Sequence, residues 1–135
     1  MAKKIIAAIV MTVVAVVCLS GTVFAQEVSI CNLYTSSCSS TLTVSGTTAK
    51  CISQATGYRN ETTKIVITQT LQKKTSTGSW NKVSSWSETD TGYKGYATNS
   101  KSGLSKGTYR LKTVFKVYAG SNYETLTKYS SNKTI

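Results

Sequence analysis

Histidine and proline are both absent from the 135-residue sequence, and acidic residues are few, with five Asp and Glu against sixteen Lys and Arg. Without histidine, the chain lacks the commonest general base and the commonest metal ligand. Glu88 and Asp90 are close in sequence, but we interpret their segment, WSETDTG, as a polar turn and not as the two facing acids of a glycosidase. We therefore predict a protein that is not an enzyme and that has no cofactor and no metal site. A hydrolase is the least favoured alternative.

Helical periodicity is also missing after residue 25, where turn-forming residues recur along the whole chain. This rhythm is typical of an all-β sandwich, here of about seven strands. The serine-rich segment Thr35–Ser40 is predicted to be a loop, and Thr75–Gly78 a hairpin turn. The predicted strands are Val28–Tyr34, Leu42–Val44, Ala49–Ala55, Lys64–Lys74, Trp80–Trp86, a weak or edge strand at Thr91–Asn99, Ser105–Tyr118 and Tyr123–Ser130.

The segment Ser105–Tyr118 has the most regular alternation of side chains, as expected of a strand with one face in a core and one in water. Tyr109 follows Gly107 near the start of this segment. That is the pattern of the tyrosine corner of Greek-key sandwiches, in which the tyrosine hydroxyl bonds to upstream backbone. Leu111 stands where antibody domains carry a cysteine. We predict an immunoglobulin-like Greek-key β-sandwich without the inter-sheet disulfide.

The first 25 residues have the composition of a secretory signal peptide. Lys3 and Lys4 precede an apolar run, Ile5–Val17, and small residues before cleavage suit a signal peptidase that cuts after Ala25. The apolar run is too short to span a membrane comfortably. We predict that residues 1–25 are removed and that residues 26–135 form a single domain with no transmembrane segment. Loss of Lys3 and Lys4 lowers the formal net charge from +11 to +9, and we expect a secreted protein, extracellular or associated with the cell wall.

The predicted mature chain contains three cysteines, Cys31, Cys38 and Cys51. Export permits a disulfide, and we predict one pair among the three, so that the third thiol stays free or pairs between chains. Cys31 and Cys38 bracket a short polar segment and could bridge locally. Cys51 could pair with either of them, or could remain a buried free thiol that behaves as a small apolar side chain.

The basic and aromatic residues supply the candidate binding face. Arg110, Lys112 and Lys116 fall on the outward side of the segment that ends at Tyr118. Trp80, Val83 and Trp86 are spaced three residues apart, and a flat strand cannot place all three on one face without a bulge. We therefore expect one tryptophan in the core and one at the surface. Such a surface suits sugar rings, anionic polymers or a membrane interface, although Tyr and Trp also suit strands without any binding role. Nucleic acid is not expected as a partner of an exported protein. The candidate face comprises Arg110, Lys112, Lys116, Tyr118, Trp80 and Trp86.

Several blocks of sequence together resemble a family of small exported proteins of Gram-positive bacteria, which have a signal peptide followed by one short domain. The resemblance covers most of the predicted mature chain and implies an extracellular β-domain. The family has no established function, so the resemblance implies nothing about chemistry. The blocks are Cys51, LQKKTSTGSW at Leu71–Trp80, NKVSSWS at Asn81–Ser87, KGTYRLKTVFKVY at Lys106–Tyr118 and ETLTKYSS at Glu124–Ser131.

These observations favour a secreted, non-catalytic binding or interaction module that associates with the cell envelope. Its partner would be an anionic cell-wall polymer or an extracellular protein, because a strongly positive surface outside the cell attracts polyanions. The alternative is a bacteriocin-like antagonistic protein whose cationic and aromatic surface perturbs membranes. The same charge could also serve only to keep a secreted protein soluble.

Overall fold

The computed structural model of the protein describes residues 33–135, and Tyr34–Ile135 form one compact unit. The predicted signal peptide, Cys31 and most of the predicted strand Val28–Tyr34 lie outside the described residues. Leu33 and Tyr34 are in a bend before the first strand. No helix in the described part of the chain is long and apolar enough to cross a membrane.

In residues 33–135, eight antiparallel strands form two sheets. The small sheet has the order β1-β2-β5, and the large sheet has the order β4-β3-β6-β7, with β8 paired to β6 beyond the end of β7. The chain passes from one sheet to the other after β2, β4 and β5. This is an immunoglobulin-like Greek-key sandwich, so the predicted fold class is confirmed. The strands are β1 (Thr35–Ser45), β2 (Thr48–Gly57), β3 (Lys64–Lys74), β4 (Trp80–Thr91), β5 (Lys94–Lys101), β6 (Thr108–Ala119), β7 (Asn122–Tyr129) and β8 (Lys133–Thr134).

Two predictions of local structure are wrong. The serine-rich segment Thr35–Ser40 is the first half of β1, where it pairs with β2 around one bulge and sends Thr35 and Cys38 inward. Glu88 and Asp90 are not in a turn but in β4. The carboxylate of Asp90 accepts a hydrogen bond from the backbone N–H of Tyr96 at 2.8 Å. It therefore satisfies a backbone donor on the edge of β5 that pairs with no other strand. Polar composition suggested loops in both places, and cross-strand pairing overrides it.

The core consists of two apolar clusters with a polar layer between them. Five strands, β1, β2, β3, β5 and β6, each place a polar residue at this level. In β3, for example, Gln69 lies between Ile67 of one cluster and Leu71 of the other. The layer consists of Ser40, Ser53, Gln69, Asn99 and Thr113.

Hydrogen bonds connect this polar layer from one sheet to the other. The Thr113 hydroxyl lies 2.8 Å from both Ser40 Oγ and Ser53 Oγ. The Gln69 amide donates to Ser53 Oγ at 2.8 Å, and its carbonyl accepts from Asn99 Nδ2 at 2.7 Å. Within the described residues no buried side-chain nitrogen or oxygen lacks a partner. The layer therefore avoids the cost of burying polar groups without partners.

The start of β6 has the geometry of a tyrosine corner. Tyr109 is 1 % exposed, and its hydroxyl donates to the backbone carbonyl of Ser105 at 2.6 Å. Gly107 adopts a φ of 152°, a conformation that other residues rarely adopt, and it exchanges two backbone hydrogen bonds with Ile135. Leu111 is fully buried at the position where antibody domains carry a cysteine. The C-terminus is thereby fixed at one end of the sandwich, while β1 begins at the other end, beside Glu124.

Candidate binding face

Alternation in β6 separates a buried face from a basic one. The side chains of Tyr109, Leu111, Thr113, Phe115 and Val117 are 1 % exposed or less. The intervening side chains point away from the small sheet, which places four of the predicted face residues together. These are Arg110, Lys112, Lys116 and Tyr118.

Strand register adds further cations and rings on the same side of the large sheet. Lys64 of β3 is opposite Tyr118, which is in turn opposite Tyr123 of β7, while Lys112 is opposite Tyr129. Sequence reasoning missed Lys64 as a member of the face, although its place in the alternation of β3 could have indicated it. We refer to this surface as the basic face, and it comprises Lys64, Lys74, Lys82, Arg110, Lys112 and Lys116 with Trp80, Tyr118, Tyr123 and Tyr129.

The described carboxylates are all elsewhere. Glu88 and Asp90 are opposite Ile67 and Ile65, and therefore lie on the inward side of β4. Glu124 is 7 % exposed and accepts hydrogen bonds from Tyr34 N and Thr35 Oγ1, each at 2.7 Å. Glu61 is in the connection between β2 and β3. Among the described residues, no acidic side chain occupies an outward position of the large sheet, so no carboxylate within that sheet face offsets its positive charge.

Arg110 is held in place at one end of the basic face. Its guanidinium carbon lies 4.1 Å from the ring centroid of Trp80 and 4.3 Å from that of Tyr129, and its Nε donates to Gln72 Oε1 at 2.8 Å. Both distances are within the range of cation–π contacts. The two rings and the amide together hold the guanidinium in position.

A second group of rings and lysines lies at the other end of the same face. Lys64 Nζ is 4.1 Å from the ring centroid of Tyr118, and Lys116 Nζ is 4.9 Å from that of Tyr123. The two rings are themselves 5.2 Å apart and tilted by 40°. Tyr123 is 53 % exposed, so this group is open to solvent. Cations and aromatic surface are therefore available at both ends of the face.

The structure separates the two tryptophans and so corrects the candidate face. The expected bulge is present in β4: Lys82 pairs with Gln72 and Ser84 with Leu71, which leaves Val83 as the extra residue. Beyond the bulge Trp86 is opposite Gln69 and packs, half-buried, against a core cluster. Trp80 remains on the basic face. Trp86 is therefore not a member of that face.

The cysteines do not support a disulfide between Cys38 and Cys51, both of which are free thiols. Cys51 is opposite Leu42, four residues along β1 from Cys38, so the two Cα atoms are about 13 Å apart, twice the usual reach of a disulfide. Burial raises the pKa of the Cys51 thiol to about 11. Burial also raises the pKa of the Cys38 thiol. The positive charge of Lys128 partly offsets this increase, and the negative charge of Glu124 adds to it. Both thiols are therefore protonated at neutral pH and are poor nucleophiles.

One other arginine in the described chain contacts an aromatic ring. Arg59, in the connection between β2 and β3, lies over Tyr93 at 5.6 Å and donates from Nη2 to the phenol oxygen at 3.4 Å. That hydrogen bond lowers the pKa of Tyr93, and the charges of Arg59 and Lys94 lower it further. This pair is outside the basic face. Within the described residues, no three His, Cys, Asp or Glu side chains are grouped so that they could hold a metal ion.

No protein-family model matches the chain, and no curated protein matches its sequence. Among solved structures, the chain is similar to the solution structure of CsgH from R. palustris, at 16 % sequence identity and a TM-score of 0.39. The matched region covers 72 % of this chain and 89 % of CsgH. The fold assignment rests on the strand order and register of the protein itself.

Proposed function

We propose that the protein is a secreted, non-catalytic binding module that attaches to anionic polymers of the cell envelope through its basic face. The observation that carries this proposal is the grouping of cations on one side of the large sheet, without a described carboxylate in an outward position there. A surface of one charge sign attracts polyanions and accelerates their encounter with the protein. The rings of Trp80, Tyr118, Tyr123 and Tyr129 supply apolar contact area beside those charges.

Co-sedimentation of the purified protein with isolated cell walls, across a series of NaCl concentrations, tests this proposal. We expect binding at low salt that weakens as salt rises, because screening shortens the reach of charge interactions from about 30 Å at 0.01 M to about 8 Å at 0.15 M. Lys112→Glu reverses a charge at the centre of the basic face and should weaken binding about tenfold, a loss of about 1.4 kcal/mol.

The matched control is Lys50→Glu. Lys50 is exposed on the outward side of β2, on the opposite side of the sandwich, and the substitution changes the net charge by the same amount. Equal losses in the two variants would show attraction to the net charge alone and would contradict a binding face. Absence of wall binding even at low salt would refute the proposal. Leakage from vesicles of anionic phospholipid would favour the antagonistic, membrane-active alternative.

A further inference from the structure

Arg110 is held by more groups than the lysines around it. Two aromatic rings contact its guanidinium, and Gln72 accepts a hydrogen bond from its Nε. Lys64 and Lys116 each contact one ring. A side chain that is fixed before binding loses less conformational entropy when a ligand arrives. Arg110 is therefore the cation of the basic face that is best prepared to bind an anion in one defined geometry.

The remaining donors of Arg110 are available to a ligand. Within residues 33–135 the guanidinium donates a single hydrogen bond, from Nε. Its two Nη groups donate no hydrogen bond there. Because every buried side-chain nitrogen of these residues has a partner, the two Nη groups are not buried and reach solvent. The rings of Trp80 and Tyr129 contact the guanidinium without using its Nη donors in a hydrogen bond. Two parallel N–H groups match two oxygens of one phosphate.

The spacing of the cations along β6 suits a linear polymer. Arg110 and Lys112 are two residues apart on the same side of a strand, which separates their Cα atoms by about 7 Å, and Lys116 is about 20 Å from Arg110. In an extended polymer, two phosphodiester groups joined by a three-carbon bridge are separated by roughly the distance between the Cα atoms of Arg110 and Lys112. Successive phosphates of such a polymer can therefore meet Arg110 and Lys112.

We propose that Arg110 is a preformed receptor for one phosphodiester, and that the ligand of the basic face is a glycerol-phosphate type of wall polymer lying along β6. Arg110 binds one phosphate through its Nη groups, Lys112 neutralises the next, and Lys116 meets a phosphate farther along. This inference rests on the proposed function and adds the chemistry of the repeating unit. A single strand of nucleic acid has the same three-carbon spacing, and we favour the wall polymer because we propose that the protein is exported.

Calorimetric titration at low ionic strength tests the inference with probes of equal charge number: a glycerol-phosphate oligomer, an oligothymidylate and a polyglutamate peptide. The key variant is Arg110→Lys, which keeps the charge but removes the planar pair of donors. We expect its dissociation constant for the glycerol-phosphate oligomer to rise about tenfold. Arg59→Lys is the matched control and should leave that constant within about twofold of the wild-type value.

Trp80→Leu provides a second variant, since it leaves every charge in place and removes one of the two rings that orient Arg110. It should raise the same dissociation constant several-fold, whereas Tyr93→Leu, which removes the ring beside Arg59, should not. Thermal unfolding of each variant, measured first, ensures that all are compared in the folded state.

The results separate this inference from the proposed function. If wall binding requires Lys112 but Arg110→Lys binds the oligomer as well as the wild type does, the proposed function stands and the role of Arg110 is refuted. Equal affinity for polyglutamate would refute the phosphate preference, and tighter binding to oligothymidylate would refute the wall polymer as the ligand. If walls are not bound at any salt concentration, the proposed function fails, and the oligomer titration still decides whether Arg110 is a phosphate receptor.

Discussion

Cys51 illustrates how the environment of a single residue sets its chemistry. It is fully buried beside the apolar side chains of Leu42 and Leu111, and burial raises its pKa from an ordinary 9.0 to about 11. The neutral thiol is compatible with this site, and the thiolate is not. The residue therefore acts as a small apolar side chain at neutral pH, one of the alternatives that the sequence left open.

The same thiol should make stability depend on pH in alkaline solution. Between pH 9 and pH 11 the unfolded chain loses the Cys51 proton while the folded chain keeps it, so the free energy of unfolding falls as pH rises, by up to roughly 1.4 kcal/mol per unit. The contribution is complete below about pH 9 and is lost as the pH approaches 11. Urea unfolding of the wild type and of Cys51→Ala, in parallel from pH 8 to 11, measures it. We expect the stability advantage of the wild type to shrink by roughly 2 kcal/mol across this range, and parallel curves would contradict the expectation.

At the scale of the strands, the polar layer restricts how the elements can pair. Successive residues of a strand point to opposite faces, so a slip of one residue would move Gln69 or Thr113 to the outer surface and put an outward residue in its place. The hydrogen bonds among Ser40, Ser53, Gln69, Asn99 and Thr113 can all form in only one register. We infer that the layer selects this register, whereas the two apolar clusters supply most of the buried apolar surface.

Thr113→Val tests this view, since valine has nearly the same shape and lacks the hydroxyl. The substitution removes a partner from both Ser40 and Ser53 inside the core, and we expect a loss of about 1–3 kcal/mol in the free energy of unfolding by urea. Thr127→Val is the control, because Thr127 is exposed on the outward side of β7 and its loss should change stability by less than about 0.5 kcal/mol. Equal effects at the two positions would show that the buried hydroxyl contributes nothing specific.

Strand patterns also show which features the sequence could predict. The strict alternation of inward and outward side chains predicted β6. The strand predicted at Lys64–Lys74 has the same bounds as β3. Alternation could not place Thr35–Ser40, because serines that hydrogen-bond inside a core have the same composition as serines in a loop. The spacing of the tryptophans indicated a bulge but not the side of each ring, which depends on where the extra residue falls. The stack of Tyr129 on Arg110 depends on packing between β6 and β7, which no local pattern encodes.

At the scale of the molecule, charge is distributed unevenly between the two sheets. Within residues 33–135 the cations of the basic face lie together without a carboxylate in an outward position of the large sheet, whereas Glu124, Glu88 and Asp90 lie on inward-facing positions. Repulsion among the cations opposes folding when salt is low. The grouping of like charges on one face thus has a measurable cost in stability.

We therefore expect the melting temperature to rise with NaCl concentration between about 0.01 and 0.15 M, where screening becomes effective over the distances within the face. Lys112→Gln should raise the melting temperature at low salt and reduce its dependence on salt. Lys50→Gln, on the opposite side of the sandwich, should have the smaller effect. Differential scanning calorimetry of the three proteins measures both quantities, and a melting temperature that does not change with salt would contradict the expectation.

The two ends of the compact unit leave it at opposite ends of the sandwich. The chain reaches β1 beside Glu124, whereas Ile135 is hydrogen-bonded to Gly107 at the far end. Tension applied between Tyr34 and Ile135 would pull β1 along β2, and β8 and then β7 along β6, in the direction of the strands. The backbone hydrogen bonds between each pair of strands would then bear the load together instead of breaking one after another. A domain with this connectivity is suited to resist mechanical force applied along its strands.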